Sequence, residues 1–70
     1  MKLLTLAKRL DFTTETEYFD YCAESFINGQ RQQCKDLFKK MSKADRHNLI
    51  AYIRDNYAND EMHNYFVSLF

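Results

Sequence analysis

The sequence predicts an all-α fold, a compact bundle of four to five short helices forming a single domain over residues 1–70, and three observations carry that expectation. Its composition is 46% hydrophobic and 16% aromatic, with no proline and one glycine, which suits a buried core and lacks the turn residues of a β fold. Apolar residues recur at i, i+3, i+4 and i+7 through most of the chain, the period of a helix with one buried face. Short polar stretches separate these segments, so neighbouring helices must turn back on one another.

Leu3, Leu6, Ala7 and Leu10 predict a short first helix ending near Asp11. Thr14 opens the second, since its hydroxyl can cap the helix while Glu17 reaches back, the spacing of a capping box. Its core face is Phe19, Cys22, Ala23, Phe26 and Ile27. It stops at Asn28-Gly29, where glycine supplies the left-handed conformation of a C-cap. From Gln30 to Met41 a third helix aligns Cys34, Leu37, Phe38 and Met41 on one face. Ser42 caps a fourth helix with Asp45 in its first turn, where an acid suits the helix dipole. The core face there is Leu49, Ile50, Ile53 and Tyr57, and after Ala58-Asn59-Asp60 a last helix carries Met62, Tyr65, Phe66 and Leu69.

Several function classes are disfavoured by size and composition. A domain this small buries only about 60% of the surface its unfolded chain exposes, and such domains often add disulfides, a metal or self-association. Cys22 and Cys34 both fall on apolar faces and read as buried, reduced thiols. A zinc site with His47 and His63 would lack any Cys-x-x-Cys or His-x-x-x-His spacing, so no metal and no cofactor is expected. No phosphate loop, nucleophile elbow or metalloprotease motif is present. Glu15 and Glu17 point about 200° apart on a helix, and a non-enzymatic protein is expected. The apolar run from Leu3 to Ala7 is broken by Lys8 and Arg9, too short for a signal peptide or a membrane span, so the chain is expected in the cytoplasm.

Residues 6 to 19, LAKRLDFTTETEYF, have the cadence of a helix-turn-helix. In that frame the second helix buries an apolar residue in its first turn and another three later, but these positions fall on Glu17 and Asp20. A turn one residue longer substitutes Tyr18 and Tyr21. The chemistry still fails, because the exposed face is then Glu17, Asp20 and Glu24, and no Lys or Arg occurs from Asp11 to Gln30. Phosphate contacts supply most nucleic-acid affinity, and an acidic helix is repelled from the groove.

The formal net charge is zero, yet residues 31 to 46 hold Arg31, Lys35, Lys39, Lys40, Lys43 and Arg46 against Asp36 and Asp45. Arg31, Lys35 and Lys39 line one edge of the third helix, and Asp36 and Lys40 have the spacing of a helix ion pair. Such a stripe can complement the acidic second helix across the Asn28-Gly29 turn. It can also bind a nucleic-acid backbone or an acidic partner, through Arg31, Lys35, Lys39 and Lys43. The aromatics exceed what one small core needs, and tyrosine suits interfaces. The leading expectation is therefore contact with a protein partner, or with a second copy of the chain as a homodimer, through Tyr18 and Tyr21 edged by Glu17, Asp20 and Glu24. A nucleic-acid-binding regulator is the alternative.

Residues 14 to 41, TETEYFDYCAESFINGQRQQCKDLFKKM, resemble small all-helical accessory proteins of unknown function encoded by bacterial genomes, phages and mobile elements. The resemblance rests on Tyr18, Tyr21, Glu24, Ser25, Phe26, Ile27, Asn28, Gly29, Gln30, Leu37 and Phe38. It implies a stand-alone protein that acts by contact, as small regulators and inhibitors of host defence do, and it carries over no catalytic residue or ligand.

Overall fold

The computed structural model describes residues 2–70, and they form five helices and no strand. These are α1 (Leu3–Arg9), α2 (Glu15–Ile27), α3 (Arg31–Lys40), α4 (Lys43–Asn56) and α5 (Asp60–Ser68). Helix α2 is central, packing on α1, α3 and α4, while α4 also pairs with α5. Tyr18, Cys22, Phe38, Leu49, Ile53, Met62 and Phe66 are fully buried where these helices meet. No helix among the described residues is long and apolar enough to cross a membrane.

Helices α2, α4 and α5 start at side-chain caps. The Thr14 hydroxyl accepts the Glu17 N–H at 3.3 Å, and the Glu17 carboxylate accepts the Thr14 N–H at 3.2 Å, completing the expected capping box. Ser42 caps α4 by accepting the Asp45 N–H at 3.2 Å, and Asn59 caps α5 by accepting the Met62 N–H at 3.1 Å.

The helix ends divide into two kinds. Helix α2 closes in a Schellman turn, with Gly29 at φ 76° and the Gln30 N–H reaching the Ser25 carbonyl at 2.8 Å. Helix α1 closes the same way with Asp11 in the glycine position, at φ 63°, and the Phe12 N–H on the Ala7 carbonyl at 3.0 Å. Helix α3 has no such turn, because Met41 is extended and the chain leaves directly for α4. Side chains from elsewhere take its last carbonyls. The Arg46 Nε donates to Phe38 at 3.0 Å and Met41 at 3.1 Å, its Nη2 donates to Lys39 at 3.0 Å, and the Tyr18 hydroxyl donates to Leu37 at 2.8 Å.

Three sequence expectations are corrected. Ile27 is 61% exposed rather than in the core, because it stands one turn after the exposed Glu24, on the same side of α2 and at its last residue. Leu10 is 39% exposed, since it is the C-cap of α1 and the chain turns away there. Asp36 accepts from the Gln32 side chain at 3.0 Å instead of pairing with Lys40; among the described residues the one ion pair is the exposed Arg54–Asp55 contact at 3.7 Å. No ion pair among the described residues therefore joins α2 to α3. The Gln33 amide donates to the Ser25 hydroxyl at 2.7 Å, and the Arg31 guanidinium lies 3.9 Å over the Phe26 ring.

Candidate protein-contact groove

The acidic, aromatic face expected on α2 is present in part. Phe12, Glu17, Asp20, Tyr21 and Glu24 line a shallow depression of about 230 Å³. Tyr21 is half-buried there, edge-on to Phe12 with ring centroids 5.6 Å apart, and Glu24 is exposed. Glu17 is occupied in capping, and the hydroxyl of Thr13, at 2.7 Å, holds its carboxyl below the ordinary carboxylate range. Asp20 Oδ1 accepts the hydroxyls of Tyr52 at 2.8 Å and Tyr57 at 2.7 Å. The bond to Asp20 raises the Tyr52 phenol above its ordinary value, and burial foremost raises that of Tyr57. Tyr18 does not belong to this surface. It is 1% exposed, its ring fills the space between helices, and burial raises its phenol, so the expected pairing of Tyr18 with Tyr21 as an exposed contact is withdrawn.

The basic stripe is thinner than the sequence suggests. Arg31 stacks on Phe26, donates to the Phe26 carbonyl at 2.6 Å, and has its own carbonyl bonded by the Tyr65 hydroxyl at 3.2 Å. Arg46 is spent on the end of α3. Lys35, Lys39 and Lys43 remain exposed.

A better-formed concavity lies between α1 and α3, where no single segment of sequence marks it. Leu6 and Leu10 from the end of α1, Tyr18 from α2 and Leu37 from α3 give a groove of about 220 Å³ an apolar lining, and Arg9 and Lys40 also line it. The polar groups of its floor are satisfied by each other, since the Tyr18 hydroxyl is engaged with the Leu37 carbonyl. Arg9 and Lys40 sit in the last turns of their helices, where a cation suits the negative end of the dipole. Neither makes an ion pair among the described residues. No known protein family, curated protein or solved structure matches the chain.

The sequence contained Lys8-Arg9 and Lys39-Lys40 as helix-terminal cations, but their approach is tertiary, and Leu10 read as core. The remaining reactive side chains are dispersed. Cys22 and Cys34 are free and buried, with the Cys34 thiol donating to the Cys22 carbonyl at 3.8 Å, and burial raises both thiols. The His47 ring rests on Phe70 with centroids 4.7 Å apart. No three His, Cys, Asp or Glu side chains converge as a metal site among the described residues.

Proposed function

We propose that the protein works by contact with a protein partner, as a small non-enzymatic binding module whose receiving surface is the groove between α1 and α3. One observation supports this reading above others: an apolar groove of about 220 Å³ with a satisfied floor, lined also by the two cations Arg9 and Lys40. An apolar side chain can enter without stranding a buried polar group. Cations beside it favour a partner whose apolar anchor is flanked by acids. The groove presents leucines, a hydrogen-bonded phenol and two cations.

The test is affinity capture from cells that encode the chain, comparing the parent with Leu10→Glu and with Lys35→Glu/Lys39→Glu. A protein retained by the parent and by the lysine variant but lost with Leu10→Glu supports the groove. Retention of nucleic acid that is lost only in the lysine variant would replace this reading with a nucleic-acid-binding one.

A further inference from the structure

We infer that the groove of one copy receives the exposed ridge of α2 from a second copy, joining the chains head to tail. This rests on the reading of the groove as a contact surface and names its occupant. The ridge is Glu24 and Ile27, three residues apart and so neighbours on one face of α2. Ile27 is the most exposed large apolar side chain of the described protein, at 61%, and it stands at the last residue of α2, just before the turn at Gly29. Glu24, one turn earlier, is exposed and makes no ion pair among the described residues.

Groove and ridge are complementary in each respect that matters for docking. The groove has an apolar lining and two unpaired cations, and the ridge has an apolar anchor and an unpaired acid one turn away. A helix ridge seated in a groove by one anchor is a common mode of recognition. The formal net charge is zero, so no overall repulsion opposes two copies meeting. The two surfaces are different patches of the same chain, so the contact is heterologous and each copy keeps a free groove at one end and a free ridge at the other. A single anchor gives a contact below the standard size for stable complexes, so association is weak and concentration-dependent.

The experiment is sedimentation velocity on the intact chain over a rising concentration series, with Ile27→Ser to remove the anchor and Arg9→Gln/Lys40→Gln to remove the cations. Circular dichroism checks that both variants keep their helices, and both replace exposed groups by neutral ones. The parent is expected to grow past dimers as concentration rises, and less so in high salt. Each variant alone should stay monomeric. An equimolar mixture of the two should form a dimer and nothing larger, because only one intact groove and one intact ridge remain per pair. A parent that stays monomeric throughout, or whose association survives either variant, overturns the inference. If that happens while Leu10→Glu still abolishes capture of a cellular protein, the groove reading stands and only its occupant is wrong.

Discussion

The hydroxyl of Tyr18 donates a 2.8 Å hydrogen bond to the carbonyl of Leu37, tying the first turn of α2 to the last turn of α3. That carbonyl belongs to the set a helix end leaves without an intrahelical partner, and the bond that serves it is buried. Tyr18→Phe keeps the ring and removes the donor. It should destabilise the domain by about 1–3 kcal/mol, the effect of leaving a buried acceptor unsatisfied. Urea unfolding followed by circular dichroism measures this, and an unchanged midpoint would show that the carbonyl has another partner.

Arg46 does for α3 what a C-terminal glycine does for α2. Its fork covers the carbonyls of Phe38, Lys39 and Met41, and its guanidinium carbon lies 5.2 Å from the Phe38 ring centroid. Lysine is a point charge on a flexible stem and cannot reproduce that fork. Arg46→Lys is expected to lower stability by about 1 kcal/mol and Arg46→Ala by about 2 kcal/mol, the range for charge-assisted hydrogen bonds. Hydrogen exchange of the α3 amides should speed up in both; equal protection in Arg46→Ala would count against the capping role.

Ala58 holds φ 48° and Asp11 φ 63°, both in the left-handed region that favours glycine. That conformation costs an L-residue roughly 1–2 kcal/mol, and aspartate tolerates it better than alanine. Glycine relieves the strain but loses part of the gain to the freer unfolded chain. Ala58→Gly should therefore raise stability by about 0.5–1 kcal/mol, and Asp11→Gly by less. Thermal melts of the two variants check the ranking, which a lowered midpoint in Ala58→Gly would contradict.

The phenols of Tyr18, Tyr52, Tyr57 and Tyr65 all ionise above their ordinary value, Tyr52 chiefly through its bond to Asp20 and the others chiefly through burial. The folded chain then keeps protons that the unfolded chain releases above about pH 10. Their contribution to stability is full below that pH and is lost as pH rises toward the folded values. Tyrosinate absorbance should lag until the helices melt. The sign is opposite for Glu17, whose lowered carboxyl adds stability above the ordinary value of 4.5 that is lost as pH falls. Complete tyrosine titration near pH 10 with intact helices would refute the alkaline half.

Phe38 is buried and packs between Phe66, tilted with 6.0 Å between centroids, and Phe70, edge-on at 5.3 Å. Phe38→Ala removes a side chain whose deletion costs about 3–5 kcal/mol, comparable with the whole stability of a small domain. The variant should be largely unfolded at room temperature by circular dichroism, and a cooperative melt within a few degrees of the parent would be inconsistent with this packing.

The helices were legible in the sequence from their apolar periods, and the starts of α2 and α4 because they are written locally, in Thr14 with Glu17 and in Ser42. The end of α2 was legible because glycine marks it. The end of α1 near Asp11 was legible from the break in its apolar period, but the left-handed conformation of Asp11 was not, since its side chain does not announce it. Tyr18 and Ile27 were misplaced for a related reason. Apolar character suggested that Ile27 is buried and a polar tip suggested that Tyr18 is at the edge, while angular position on α2 decides both. The groove was illegible because Arg9, Leu10, Leu37 and Lys40 come together only when α1 and α3 close on α2.

Asp20 joins partners far apart along the chain. Tyr52 and Tyr57 lie 32 and 37 residues from it, whereas the α1–α2, α2–α3 and α4–α5 pairings are between neighbours in sequence. Local pairings of this kind form quickly, and the clasp across α2 and α4 closes a long loop that must wait for both partners to be built. A contact made after the rate-limiting crossing governs departure from the native state rather than arrival. Asp20→Asn is accordingly expected to speed unfolding more than it slows refolding, which stopped-flow kinetics in urea would measure.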